Sequence, residues 1–96
     1  MYKEITASDF ANDKTIRESF SYNGAIALFE YLEEIENLEF DPVAFRCEFT
    51  EYRDFDEIAE VYFELKEIKT YDEMCDWLQD RTMVIEFDGG VIIADF

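Results

Sequence analysis

The net charge of the chain is the feature that most restricts what it can fold into. Aspartate and glutamate number 25 and lysine and arginine number 8, which gives a formal net charge of −17 on 96 residues without histidine. Repulsion among so many like charges opposes a compact state. Disordered acidic chains are poor in aromatic residues, but this chain has ten Phe, six Tyr and one Trp. We therefore expect a single folded acidic domain, residues 1–96, around an aromatic core.

The same acidity restricts the partners. A chain of this mass exposes roughly 5,800 Å², so an even spread gives about one net charge per 340 Å², whereas duplex DNA carries roughly one per 100 Å². Only carboxylates gathered on one face would approach the charge density of nucleic acid. An anionic surface repels both phosphate and anionic lipid, and no apolar run is long enough to span a bilayer. We expect no direct nucleic-acid binding, no membrane binding and a cytoplasmic location.

Two capping signals and one apolar stripe predict helices in the first half of the chain. The segment Thr6-Ala7-Ser8-Asp9 has the spacing of a capping box and begins a short helix. Ser21 can cap a second helix. The apolar residues of that helix recur at helical spacing and predict a stripe that faces the core: Ala25, Leu28, Phe29, Leu32 and Ile35.

The period changes to two after Pro42, which predicts a half-buried strand. Its inward residues would be Val43, Phe45, Cys47 and Phe49. From Asp54 the pattern is helical again, and a second capping box at residues 70–73 begins another helix, which would bury Met74, Cys75 and Leu78. Two β-rich runs, 82–87 and 91–96, flank Asp88-Gly89-Gly90 and predict a hairpin. The order ααβααββ predicts an α+β domain with a three-stranded antiparallel sheet packed against helices.

The acidic residues are concentrated between residues 30 and 60, where only Arg46 and Arg53 are basic. An ordinary solvated surface is the simpler interpretation, but solubility is served by mixed charges, so the scarcity of lysine favours a continuous anionic face. The residues that we predict to form it are Glu30, Glu33, Glu34, Glu36, Glu39, Glu51, Asp54, Asp56, Glu57 and Glu60. Arg46 and Arg53 would act as counter-charges inside it.

Tyr31 and Tyr52 lie among these carboxylates in the sequence and would suit a protein interface, where aromatic residues carry much of the binding energy. Cys47 and Cys75 are expected to be buried thiols. Without histidine or a Cys-x-x-Cys motif, the chain gives no signal of a metal site, a cofactor or a nucleophilic cysteine. Carboxylate pairs occur in any acidic chain and carry no specific signal. We expect no enzymatic activity.

The stretch FSYNGAIALFEYLEEIENLEFDPVAFRCEFTEY, residues 20–52, resembles a family of small acidic proteins encoded by phages and mobile elements. The opening ITASDF and the ending DRTMVIEFDGGVIIADF are also similar to that family. The chain departs from the family pattern at Asn23-Gly24, where stronger helix formers are expected. The phage setting and the acidity of the family imply inhibitors of host defence that imitate DNA, and no catalytic residues are implied.

Three functional hypotheses follow. The first is an anti-CRISPR or anti-restriction inhibitor, whose anionic face occupies the basic groove of a DNA-binding host defence protein. The second is an adaptor or antitoxin-like module that binds one protein through an aromatic patch including Tyr31, Tyr52 or Trp77. The third is a halophile's housekeeping domain, which the aromatic content argues against. A homodimer that pairs through residues 91–94 stays open.

Overall fold

The computed structural model describes residues 5–35 and 38–96. In those ranges the chain forms an α+β fold, as predicted, with six α-helices, one 3₁₀ helix and three strands. Their order is α1 (Ala7–Asn12), α2 (Lys14–Ser19), α3 (Tyr22–Glu33), α4 (Pro42–Glu48), β1 (Phe49–Tyr52), α5 (Phe55–Val61), the 3₁₀ helix (Phe63–Glu67), α6 (Tyr71–Gln79), β2 (Val84–Phe87) and β3 (Gly90–Ala94).

A polar side chain caps the start of every α-helix in the described ranges. The caps are Thr6, Asp13, Ser21, Asp41, Asp54 and Thr70, each of which accepts a hydrogen bond from a backbone N–H of the first turn. Helices this short gain most of their stability from tertiary packing, and a cap fixes where each one begins. The predicted helix starts at Thr6, Ser21, Asp54 and Thr70 are confirmed.

The predicted strand over residues 43–50 is wrong for most of its length, because residues 42–48 form helix α4. Pro42 occupies the first turn, where its missing N–H costs nothing, and Asp41 Oδ1 accepts from the Ala44 N–H at 3.1 Å. Strand β1 begins only at Phe49. Within the helix Phe45 is buried but Val43 is 55% exposed, so the alternation of apolar residues does not reflect alternating burial.

The sheet has the order β1-β3-β2 and is antiparallel throughout. The predicted C-terminal hairpin is confirmed: Phe87 pairs with Gly90 across a two-residue turn, in which Gly89 has a φ of +109°. Strand β3 is central and is paired on both sides. The expectation that residues 91–94 could pair with a second copy is therefore wrong, since that strand has no free edge.

Helices cover both faces of the sheet. Successive β3 side chains alternate between two cores: Ile92 packs with the residues of α1–α4, whereas Val91 and Ile93 pack with α5, the 3₁₀ helix and α6. Phe10, Leu28 and Phe45 contribute to the first core and Ile58, Leu65 and Leu78 to the second. The sheet thus separates the first four helices from the last ones.

Besides Val43, three other residues predicted to be buried are not in the core. Ile35 is 39% exposed just beyond the end of α3. Cys47 is exposed because residues 42–48 are helical, and Cys75 is only half-buried on α6.

Candidate anionic interface

The predicted carboxylates do not all lie on one side of the sheet. Glu30 and Glu33 are exposed on α3, and Glu34 is exposed at its C-terminal cap, in the layer that covers the first core. Asp56 and Glu60 are exposed on α5, in the layer that covers the opposite face. Glu39 is exposed in the segment before α4. Glu36 lies outside the described residues.

The carboxylate of Glu51 has a structural role. Its side chain points to the α3 face of the sheet, where Oε1 accepts hydrogen bonds from both the N–H and the hydroxyl of Ser21, each at 3.0 Å. Ser21 Oγ in turn accepts from the Gly24 N–H at 3.1 Å. The carboxylate therefore lies at the N-terminus of α3, where the helix dipole favours negative charge, and it fastens that helix to β1.

Asp54 and Glu57 form a local cluster with Arg53 at the start of α5. Asp54 Oδ1 accepts from the Glu57 N–H at 2.9 Å, and Arg53 Nε donates to Asp54 Oδ2 at 3.4 Å. Arg53 Nη2 lies 3.8 Å from Glu57 Oε2. The backbone hydrogen bond from Glu57, with Arg53 in support, lowers the pKa of Asp54. Arg53 is thus a counter-charge to predicted residues, as expected.

Asp56 joins the first turns of two helices. Its Oδ2 accepts a hydrogen bond from the Tyr71 hydroxyl of α6 at 2.8 Å, and the Phe55 and Tyr71 rings are 6.2 Å apart. That hydrogen bond raises the pKa of Tyr71, since the bond requires the protonated phenol.

The structure also differs from two further expectations, which concern the accessible tyrosine rings and the partner of Arg46. Tyr52 is only 8% exposed and belongs to the second core, so the prediction of an accessible ring among the carboxylates is wrong for Tyr52. Tyr31 is half-buried, with its ring edge-on to Phe49. Arg46 lies 3.7 Å from Glu18 of α2, which is not one of the predicted acidic residues.

The structure instead brings carboxylates together along β2, which is an edge strand of the sheet. Three shallow depressions follow one another there. The first, of about 460 Å³, lies between α6 and Glu86; the second, of about 350 Å³, lies beside the hairpin turn; the third, of about 470 Å³, lies between α3 and Phe87. Glu86 lines the first two and Phe87 the last two, so neighbouring depressions share a residue and lead from the α6 face of the sheet, past the hairpin turn, to the α3 face.

We call the carboxylates that line these depressions the anionic band. Its members are Glu30, Asp54, Asp72, Asp76, Glu86 and Asp88. Among the described lining residues Arg53 is the one cation, and it is already paired with Asp54. Six carboxylates therefore line the three depressions together with one engaged cation.

The pKa of the Cys75 thiol is affected by the negative charges of the band. This half-buried thiol lines the depression beside α6, and burial, followed by the negative charges of Glu86, Asp76 and Asp72, raises its pKa. Three carboxylates from two elements thus act on one atom. The band therefore has a negative electrostatic potential, which stabilises a cationic group placed beside it.

Four members of the band were missed by sequence reasoning: Asp72, Asp76, Glu86 and Asp88. They lie outside residues 30–60, and no local pattern joins them. The sequence did indicate that Asp72 and Asp76 lie one turn apart on the same face of α6. It also indicated that Glu86 points outward from the predicted hairpin. The relative placement of α6 and β2 was still needed to unite them.

A second surface contains stacked aromatic side chains, which we call the Trp77 cluster. The Tyr62 and Phe96 rings stack at 4.7 Å, the Trp77 ring meets Phe96 edge-on at 6.0 Å, and the Arg81 guanidinium lies 3.9 Å from the Trp77 ring centroid. Phe96 is 50% exposed. On α6, Trp77 and Cys75 lie on opposite flanks of the buried residues Met74 and Leu78, so this cluster is separate from the anionic band.

No helix in the described ranges is long and apolar enough to cross a membrane. Within the same ranges, no group of three or more aspartate, glutamate, cysteine or histidine side chains is placed to hold a metal ion. Comparisons with protein-family models, with curated proteins and with solved structures found no match to this chain.

Proposed function

We propose that the protein binds a basic, nucleic-acid-binding groove of another protein through the anionic band and so keeps nucleic acid out. The observation that carries this proposal is the band itself, with six carboxylates and one engaged cation along the edge of the sheet. Such a strip complements a groove built to hold phosphates, and complementary potentials speed association.

The proposed mechanism is competition. Carboxylates of the band take the places of phosphates on lysine and arginine side chains of the groove, and the counter-ions displaced from both surfaces favour binding. The protein then acts as a DNA mimic and needs no catalytic step. Affinity should fall as salt rises, and duplex DNA should compete for the same groove.

The resemblance to small acidic phage proteins narrows the class of target. It favours a host defence system that acts on nucleic acid, such as a CRISPR surveillance complex or a restriction enzyme, and hence the cytoplasm of the host cell. The inhibitor would be anti-CRISPR or anti-restriction in effect. It would not bind nucleic acid itself, because its surface repels phosphate.

The test begins with capture of partners from a host-cell lysate on the immobilised protein, followed by DNA-binding assays on the purified partner. We expect a DNA-binding defence complex that is released by salt and displaced by duplex DNA. The wild-type protein should block DNA binding by that complex. A captured complex that binds DNA and the protein at the same time would contradict the proposal.

A pair of charge-reversal variants tests the placement of the site. The double variant Asp76→Lys with Glu86→Lys changes the net charge by the same amount as the control Glu48→Lys with Glu60→Lys, whose residues are exposed outside the band. We expect the band variant to associate at least about tenfold more slowly at low salt and the control to change little. Equal slowing by both would show that total charge matters and that the band does not.

The Trp77 cluster favours a second candidate, an adaptor or antitoxin-like module. Its partly exposed stacked rings suit a protein interface, and Arg81 beside Trp77 reduces the local negative charge. Binding of this kind would survive high salt, ignore DNA and be lost in Trp77→Ala. The band variant would leave it unchanged.

A further inference from the structure

The anionic band surrounds the outer edge of β2, which no other strand of the described residues pairs with. The hydrogen-bonding pattern shows which backbone groups point outward from that edge. In a two-residue hairpin the residues beside the turn, Phe87 and Gly90, exchange backbone hydrogen bonds, and the pattern then alternates. Ile85 therefore bonds to Ile92 in the same way. The Asp95 N–H donates to the Glu48 carbonyl on the β1 side at 2.8 Å, in keeping with this alternation.

The N–H and C=O groups of Val84 and Glu86 consequently face away from β3. These two residues sit in the non-hydrogen-bonded pairs with Ile93 and Val91. Each offers one donor and one acceptor to a neighbouring strand. Glu86 is exposed and lines two of the depressions, so the edge is accessible at that residue.

The two sides of this edge differ in chemistry. On the α6 side the depression is lined mainly by polar groups, including Asp72, Asp76 and Glu86. On the α3 side Ile26, Ala27 and Phe87 contribute apolar surface, and Glu30 and Asp88 lie beside it. A strand paired with β2 would direct its alternate side chains to these two sides.

We propose that β2 accepts an extended segment of the partner as a fourth strand of the sheet, and that this segment alternates cationic with apolar side chains. The proposal rests on the proposed function, in that the segment would belong to the basic groove. Lysine or arginine side chains would lie against the α6 side, and apolar side chains would enter the α3 side. Backbone hydrogen bonds to Val84 and Glu86 would give affinity, and the alternation would give specificity.

The test uses a defined probe, an eight-residue peptide that alternates lysine with valine, and a copy whose backbone nitrogens are methylated at alternate positions. The methyl groups are placed on the backbone nitrogens of the lysine residues, which face Val84 and Glu86 in an antiparallel pairing. The methylated copy therefore keeps the charge but cannot form those hydrogen bonds. We expect the ordinary peptide to bind roughly tenfold more tightly or better, the effect of one or two lost hydrogen bonds. Binding should protect the amides of Val84 and Glu86 from hydrogen exchange and leave those of Ile85 and Phe87 nearly unchanged.

A variant pair separates the backbone from the charge. Glu86→Gln removes the charge alone, whereas Glu86→Pro also removes an outward N–H that the β2–β3 ladder does not use, a substitution that edge strands tolerate. We expect Glu86→Pro to bind the peptide at least about fivefold more weakly than Glu86→Gln. If Glu86→Pro fails to fold, the comparison of the two peptides on the wild-type protein still tests strand addition.

The outcomes distinguish this inference from the proposed function. Equal, salt-sensitive binding of both peptides would overturn strand addition and leave an anionic docking surface in place. Binding that protects no amide of β2 would also overturn strand addition. Failure of both peptides and of every basic DNA-binding protein to bind would overturn the proposed function together with this inference.

Discussion

The contact between Gly24 and Glu51 gives a quantitative test of how α3 is fastened to the sheet. A β-carbon at residue 24 would overlap the Glu51 carboxylate and would lie 3.1 Å from the Phe87 ring. The carboxylate occupies the space that a side chain would take, and from there it accepts both hydrogen bonds from Ser21. We therefore predict that the effect of Gly24→Ala on stability depends on the residue at position 51.

The magnitudes follow from the contacts. At a partly exposed site two hydrogen bonds contribute about 0.5–1 kcal/mol each, the lower part of the usual range, so Glu51→Ala should cost about 1–2 kcal/mol. In the wild type, Gly24→Ala gains about 0.5–1 kcal/mol of helix stability but displaces the carboxylate, so the net effect should lie between neutral and a loss of about 1.5 kcal/mol. In the Glu51→Ala background the same substitution should stabilise by about 0.5–1 kcal/mol.

The assay is urea unfolding of the two single variants and the double variant, which closes a double-mutant cycle. We expect a coupling free energy of about 1–2 kcal/mol, which corresponds to several degrees in the melting temperature of a domain this size. The control cycle pairs Gly24→Ala with Glu30→Ala, an exposed residue of the same helix, and should be additive within about 0.5 kcal/mol. An additive Gly24–Glu51 cycle would refute this role for the Glu51 carboxylate.

Three further predictions concern titratable groups. The pKa of Asp54 is lowered in the folded state, so the stability that it contributes is present above its ordinary pKa and is lost as the pH falls through the folded value; Asp54→Asn should flatten the decline of the urea midpoint below about pH 4. The pKa of Tyr71 is raised through its bond to Asp56, so that contribution is full below the ordinary tyrosine pKa and is lost at higher pH; Tyr71→Phe should reduce the loss of stability above about pH 10, as followed by circular dichroism. Cys47 is exposed, whereas Cys75 is half-buried with a raised pKa, so a thiol reagent should give a fast and a slow phase, and Cys47→Ser should remove the fast one.

Local chemistry made much of the secondary structure predictable. Capping residues fix where a helix begins through hydrogen bonds within three residues of the cap, and Thr6, Ser21, Asp54 and Thr70 all act in this way. The hairpin was predictable for the same reason, since its turn needs a residue with positive φ and Gly89 provides it.

Helix α4 was missed because two local signals competed. Apolar residues at 43, 45, 47 and 49 follow a strand period, but Asp41 followed by Pro42 is a typical helix start. The capping interaction prevailed, and only Phe45 of the residues in the helix is buried. Val43 and Cys47 are exposed, so the apolar alternation within the helix does not correspond to alternating burial.

Four of the six members of the candidate site could not be predicted, because their place in it depends on topology. Sequence density placed the acidic face within residues 30–60, but the sheet puts α3 and α5 on opposite sides of the domain. The order β1-β3-β2 leaves β2 at an edge and brings the α6 carboxylates next to Glu86. Strand order is set by which faces can be buried together, and no pattern within one segment records it.

The acidic residues have different roles in the structure, and these roles help to explain why the net negative charge is so high. Glu51, Asp54 and Asp56 accept hydrogen bonds that hold helices in place, so folding accounts for their negative charge. Asp72 lies in the first turn of α6, where the helix dipole favours a negative charge, whereas Asp76 and Glu86 lie beside Cys75 and, after burial, help to raise the pKa of its thiol. Among the carboxylates along β2, Asp76 and Glu86 are therefore the ones whose charge the proposed binding explains best.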